Sequence, residues 1–326
     1  MSPPAASRRN RVIIACAVAL AVGLIAFRYI HLRYGGIEAA DFTPIYVGAQ
    51  AVVHGADPYI TVAHAPIWLH LLFYPLPATL LVVPLLAFSP QVAAGLFLAI
   101  GAGWLAYRVT QDAWWPLLMF ASGAFWWTIV SVQWSALLMA AALSGPAVGL
   151  ALIAKPTYAI PLLAMQTRRR TVIAGLAVGV AIVLISLAIQ PSWPAAYYHT
   201  VRNSPIHNEY VAPAFTLLGC PLWLSALRWR DWRGRLVLGM ALTPLNALMY
   251  SHMPLLLVAR TRLELLLLCA ASWVGYFLSW QIIDQIAHGP TYVLLTPHIE
   301  PIAILACYYP ALALVLWQRR GTKPQP

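Results

Sequence analysis

DFTPIYVGAQAVVHGADPY, residues 41–59, is the first polar ground after a hydrophobic N-terminal segment, and it carries two carboxylates, Asp41 and Asp57. Phe42, Ile45, Tyr46, Ala49, Val52 and Val53 recur at helical spacing. The stretch is therefore expected to be an amphipathic helix lying on a membrane face, with Asp41 at its start. A carboxylate held there has the chemistry of a general base at the level of lipid headgroups. Asp41 suits an N-cap equally well, because Asp is favoured at helix starts and Pro44 falls in the first turn. Gly55-Ala56-Asp57-Pro58-Tyr59 has the composition of a turn: Gly frees the backbone, Asp bonds its own chain and Pro presets φ. Turn chemistry accounts for Asp57 without a function. Its position across one helix from Asp41 gives it a second reading, on the rim of the same face.

Outward from this stretch the chain reads as membrane scaffold. Of 326 residues 61% are hydrophobic and 9% charged, and the mean hydropathy is +0.75. That leaves too little polar surface for a soluble domain of this length. The chain is read as an all-α polytopic integral membrane protein, one transmembrane domain over residues 1–326. Arg8, Arg9 and Arg11 precede an apolar run over residues 12–27, which fits a signal anchor better than a cleaved signal peptide. Further apolar stretches are read at 67–88, 91–107, 113–131, 133–145, 146–166, 171–189, 213–227, 236–248, 249–259, 263–283 and 299–317. Together they imply about 11–12 transmembrane helices, several of them short. Residues 31–66 form the first extracytoplasmic loop in this layout and residues 190–213 the second.

The distribution of charge supports the layout. With cytoplasmic termini, 15 of the 20 basic residues fall inside: Arg8, Arg9, Arg11, Arg168, Arg169, Arg170, Arg228, Arg230, Arg233, Arg235, Arg260, Arg262, Arg319, Arg320 and Lys323. Arg28, Arg33, Arg108, Lys155 and Arg202 are left for the outer half, with most of the acids and all nine histidines. Ionisable chemistry thus concentrates on the extracytoplasmic side of what is expected to be an inner (plasma) membrane. The formal net charge of +11 does not point to nucleic acid, because the basic residues punctuate apolar runs and do not form a patch interleaved with aromatics.

Cys16, Cys220, Cys269 and Cys307 lie in or beside apolar segments without CxxC spacing and are expected to be small core residues, neither disulfide-bonded nor metal-bound. There is no GxGxxG, Walker loop or HExxH.

Polar groups interrupt the scaffold at few places. Val132-Gln133-Trp134 and Ala154-Lys155-Pro156 break apolar runs. An intramembrane Lys is costly unless it is paired or faces a polar cavity, so Lys155 has either a phosphate or an acid as partner. In the second outer loop Trp193, Tyr197 and Tyr198 suit an interfacial belt, while His199, Arg202, His207 and Glu209 supply hydrogen bonding and charge. Arg202 is a lone cation where an anionic leaving group would need one. Late in the chain, residues 242–253 are expected to make a short outer turn that brings His252 to the face that carries Asp41.

DFTPIYVGAQAVVHGADPY, FYPLP, VQW, IAKPTY and TPLNALMYSH together resemble glycosyltransferase family 87, a branch of the GT-C superfamily that includes polyprenyl-phosphate-mannose-dependent mannosyltransferases. The resemblance extends over about residues 10–260. It departs at Val132, where a Gly usually precedes the Gln, and at Asn246, where an aromatic is usual. It implies a GT-C-type helix bundle with a catalytic Asp in the first outer loop. By position Asp41 matches that acid and His252 the late histidine near the donor phosphate. The implied reaction moves a sugar, mannose in the family's pattern, from a polyprenyl-phosphate donor to a lipid or glycan acceptor at the extracytoplasmic face. Asp41 is the expected base, with His252, Arg202 or Lys155 on the phosphate and Asp57, Tyr59, Tyr46 and Gln133 around the acceptor. The implied displacement inverts the anomeric centre and needs neither cofactor nor metal, as there is no DxD pair. The competing expectations are a non-catalytic translocase of a lipid-linked sugar and a partner subunit of an envelope-glycan complex.

Overall fold

A computed structural model describes residues 7–35, 38–67, 71–204, 211–286 and 295–318. Among them there are helices and no strand: α1 (Arg8–Tyr34), α2 (Phe42–Val53), α3 (Pro58–His64), α4 (Leu76–Leu80), α5 (Pro90–Val109), α6 (Gly123–Val130), α7 (Ser135–Ala142), α8 (Gly149–Ala154), α9 (Pro156–Ala164), α10 (Arg169–Ile189), α11 (Trp193–Arg202), α12 (Trp232–Ala241), α13 (Arg262–Ile286), α14 (Leu295–Ala303) and α15 (Tyr309–Trp317). Five segments are long and apolar enough to cross a membrane: α1, α5, α10, Arg262–Asp284 within α13, and His298–Trp317. Their outer faces carry exposed aliphatic and aromatic side chains such as Leu20, Leu184 and Phe277, the surface expected of helices that meet lipid. The chain is thus an all-helical, polytopic membrane protein.

Against the expected 11–12 transmembrane helices, the described residues hold these five long apolar spans, or six if α6 and α7, bent by 119° at their junction, count as one, and three shorter apolar helices, Phe42–Val53, Gly145–Ala154 and Met249–Val258. Proline shortens several of the other stretches. Of the 26 prolines, Pro75, Pro77 and Pro84 break the 67–88 stretch into α4 and a 3₁₀ segment, Val83–Ala87. Pro146 and Pro156 divide 146–166 into a 3₁₀ turn, α8 and α9. Each removes a backbone donor and restricts the residue before it, so apolar composition there is not converted into spanning length. The stretch read at 249–259 is a 3₁₀ helix, Met249–Val258, with Pro254 inside.

The contacts divide the chain into two compact units, Met1–Trp114 with Thr128–Ala159 and Arg169–Asn208, and Trp115–Trp127 with Ile160–Arg168 and Glu209–Pro326. In the first, α1 packs along α5. A side chain at Gly95 would bring its Cβ to 3.1 Å from the Gly23 carbonyl, so glycine on both helices permits the close approach. The pair is antiparallel: Arg11 near the start of α1 donates to the Tyr107 carbonyl near the end of α5 (3.1 Å) and stands 4.2 Å over the Tyr107 ring. Arg108 therefore ends its helix beside the N-terminal arginines, a correction to its expected place in the outer half.

In the second unit α12, α13, α15 and the Met249–Val258 segment pack together. Asp231 caps α12 through the Arg233 amide (3.0 Å) and pairs with Arg260 (2.7 Å). Cys269 and Cys307 are buried here, whereas Cys16 and Cys220 are exposed and are not core residues as expected. His207, Glu209, Arg319, Arg320 and Lys323 lie outside the described residues.

Candidate functional site

Residue 42 begins a helix as the spacing requires, but α2 is more deeply packed than an interfacial helix. Phe42 through Tyr46, Gly48, Ala49 and Ala51 are all buried. Asp41 stands at its N-terminus without capping it: its side chain makes no cap hydrogen bond. The first turn is closed by backbone instead, Phe42 N donating to Ala39 O and Thr43 N to Ala40 O, while Thr43 Oγ1 accepts from Ala39 N (2.7 Å). The Asp41 carboxylate is left for another use.

That use is Gln133, 92 positions away in sequence, whose Nε2 donates to Asp41 Oδ2 at 2.5 Å. Aromatic packing explains how the two meet. Phe42, next to Asp41, contacts Phe97 of α5 (ring centroids 5.3 Å), and Phe97 meets Trp134, next to Gln133, edge-on (4.8 Å). Pairs of this geometry contribute about 0.5–1.5 kcal/mol each beyond their buried area. Tyr74 closes the group against Trp134 at 5.7 Å. The break between α6 and α7, visible in the sequence only as VQW, thus turns a polar side chain inward.

The backbone beside each partner is strained. Among the described residues two that are not glycine have positive φ: Ala40 (49°) and Val132 (50°). One immediately precedes Asp41 and the other Gln133. The left-handed region costs an L-residue roughly 1–2 kcal/mol, and a β-branched residue there is uncommon. Such strain persists where surrounding structure imposes it, commonly at functional sites.

Lys155 follows α8 and precedes Pro156, at the second polar interruption. Its Nζ lies 5.5 Å from the Tyr158 ring centre, and Tyr158 and Ser135 hydroxyls are 3.3 Å apart. Burial among these groups lifts the Asp41 carboxyl from 3.8 to about 6, against the opposing effects of the Gln133 hydrogen bond and the Lys155 charge. Burial pulls Lys155 down to about 8, against the opposing effect of Asp41. Asp41 and Lys155 nevertheless keep some solvent contact.

The other expected residues have separate places. Asp57 caps α3 in the turn the sequence describes: Oδ1 accepts from Tyr59 N (2.8 Å) and Ile60 N (3.2 Å), Oδ2 from Gln190 Nε2 (3.0 Å), and Gly55 has φ 72°. Tyr59, buried, donates to the Tyr74 carbonyl (3.1 Å) and meets the Tyr197 ring at 6.3 Å. Tyr46 is buried and donates to Phe88 O (2.7 Å), an anchor for α2. Arg202 is exposed at the end of α11 and its contacts among the described residues are to Tyr198 of the same helix. His252 belongs to the second unit and is not on an outer turn as expected. It is buried within the Met249–Val258 helix, edge-on to Tyr308 at 5.1 Å, beside a small cavity lined also by Ser272 and Cys307.

Sequence reasoning quoted Tyr74 and Trp134 without assigning them, and did not single out Ala40 or Gln190. Position next to Asp41, Gln133 or Asp57 in space was the missing signal.

No protein-family model, curated protein or solved structure matches this chain.

Proposed function

We propose that the protein is a membrane glycosyltransferase that moves a sugar from a polyprenyl-phosphate donor to a hydroxyl acceptor, with Asp41 as general base. The observation that carries this reading is the Asp41 carboxylate itself: not used as a cap, held by the Gln133 amide, near a lysine, and lifted to about 6. A carboxylate in that range is largely ionised at neutral pH yet basic enough to take a proton in a transition state.

The balance is simple. The acceptor O–H gives its proton to Asp41 as its oxygen bonds the anomeric carbon, and the anomeric C–O bond breaks with its electron pair passing to the polyprenyl phosphate. Attack opposite the leaving group inverts the centre. Lys155 is the cation in the same unit suited to the departing phosphate. A phosphate role for His252 or Arg202 rests on the family resemblance.

Placement at the extracytoplasmic face is supported by polarity within the first unit. α1 starts at Arg8, Arg9 and Arg11, α5 ends at Arg108, and α10 starts at Arg169 and Arg170. At their other ends lie Arg28 and Arg33 late in α1, and with them Glu38, Asp41 and the Asp57–Gln190 pair. The larger basic cluster at the first set of ends supports an extracytoplasmic Asp41 under the positive-inside rule.

The test is transfer of labelled sugar from polyprenyl-phosphate mannose to a membrane lipid extract, by wild type and Asp41→Asn at equal folded yield. Product from wild type alone is expected. Equal product from both removes Asp41 as the base, and no product from either with a series of polyprenyl-phosphate sugars removes the transferase reading.

A further inference from the structure

In the second unit the ends of three helices meet at one polar cluster. Asp231, just before α12, accepts from Arg260, just before α13, at 2.7 Å. Glu264 in the first turn of α13 accepts from Gln318 Nε2 (3.0 Å), which follows α15 and also donates to Val258 O (3.1 Å). Between residues 228 and 264 there are six arginines and two acids. Four of the arginines are used by the protein itself. Arg228 donates to Leu316 O (2.7 Å), Arg235 to Ala164 O (2.6 Å) and Arg260 to Asp231, while Arg233 lies 3.8 Å from Asp231 and 4.5 Å over the Trp232 ring. Both acids are thus occupied by protein donors. Arg230 and Arg262 differ from the rest: each is exposed, and neither makes a side-chain hydrogen bond or ion pair with a described residue. Arg230 adjoins Asp231 and Arg262 is two residues from Arg260, so the Asp231–Arg260 bridge brings together the segments that carry them.

Apolar side chains accompany these two cations. Leu227, Trp229 and Leu263, their neighbours in sequence, are exposed, and Trp317, 86% exposed, ends α15 next to the carbonyl that Arg228 holds. Arginine set among exposed Trp and Leu matches the headgroup level of a bilayer, where phosphate meets acyl chain. A soluble anion would answer the charges and leave the apolar rim in water. We propose that Arg230 and Arg262 bind the phosphate of an anionic glycerophospholipid, with Leu227, Trp229 and Leu263 against its acyl chains. The guanidinium fork suits phosphate oxygens, and the two acids nearby, already bonded within the protein, do not compete for it. The excess of arginine marks these helix ends as cytoplasmic under the positive-inside rule, so the lipid belongs to the inner leaflet. Binding there does not require sugar transfer at Asp41.

The experiment immobilises the full chain in dodecyl maltoside and titrates it with radiolabelled dioleoyl phosphatidylglycerol or dioleoyl phosphatidylcholine, which share acyl chains and differ in net charge. Wild type is expected to bind phosphatidylglycerol about tenfold tighter, the scale of two arginines at a headgroup surface. The double variant Arg230→Gln/Arg262→Gln is expected to bring the two lipids within about twofold of each other. A control removes the same charge elsewhere: Arg8→Gln/Arg9→Gln, at the exposed start of α1, is expected to keep the preference.

Equal affinity of wild type for the two lipids overturns the proposal without reference to any variant. A preference retained in folded Arg230→Gln/Arg262→Gln overturns it too, and one lost equally in the Arg8→Gln/Arg9→Gln control reduces it to net charge with no site. Inorganic phosphate in excess, at constant ionic strength, is expected to leave phosphatidylglycerol bound to wild type. Displacement by phosphate would make the ligand a soluble anion and remove the lipid assignment.

Discussion

The first unit holds two aspartate–glutamine pairs, Asp41–Gln133 and Asp57–Gln190, bonded over 92 and 133 residues of chain at 2.5 and 3.0 Å. They differ in how far structure alone accounts for them. Asp57 has both oxygens occupied, one on two helix amides and one on Gln190, and its turn has a glycine where positive φ is needed. Asp41 does not cap its helix, its glutamine has a buried acceptor with no partner among the described residues, and the positive φ beside each partner falls on Ala and Val. In one pair local rules and global fold agree; in the other, local rules are broken twice at the same contact. Such conflict is expected where function and not stability sets the residues.

The largest test of that contrast is to neutralise each aspartate. Asp41→Asn is expected to lower sugar transfer by about 10²–10⁴-fold, the usual contribution of a general base. Asp57→Asn, measured in the same assay, should stay within a few fold of wild type. Comparable losses from both would erase the distinction. A second test uses pH. Because the base must be ionised and burial lifts Asp41 to about 6, transfer should fall below that pH, roughly tenfold per unit once the acid form dominates. Lys155 lowers the Asp41 value, so removing its charge in Lys155→Met raises it, and the acid limb of the profile should move to higher pH. A limb that stays in place would detach Lys155 from the base.

Part of this was legible in the chain. Long apolar runs free of proline, as in α1, α5, α10 and the α13 span, appear with ends near those expected from composition. The Asp57 turn could be read residue by residue, since its chemistry is local. Several proline-containing runs form shorter helices than their apolar content suggests, because apolar content and helix length are separate properties. Asp41 was visible as either cap or base, and only the backbone closure of the first turn by Ala39 and Ala40 separates the two. The VQW and AKP interruptions were visible as polar breaks. Nothing in the sequence says that the Phe42–Phe97–Trp134 rings bring one of them to Asp41, because that contact is made by packing across three separate segments.

A smaller effect separates the pairs by stability. Asp57→Ala removes a cap that answers two amides and should cost about 1 kcal/mol, read as a lower Tm of the detergent-solubilised protein, with transfer retained. An unchanged Tm would mean that Gln190 and neighbouring packing hold α3 without the cap.

The smallest expected change has the opposite sign. Val132→Gly releases a β-branched residue from φ 50°, a gain of about 1–2 kcal/mol that is offset by the roughly 0.5–1 kcal/mol of backbone freedom glycine loses on folding. Tm should rise slightly while Gln133 remains on Asp41. Transfer is the informative readout. If strain at Val132 serves to hold the Gln133 amide in place, the variant gains stability and loses a few fold in rate, whereas Gly55→Ala beside Asp57, which introduces strain at φ 72°, loses stability and keeps its rate. A Val132→Gly protein that gains stability with no loss of rate would show that the backbone there is a tolerated irregularity and that the aromatic rings alone align the pair.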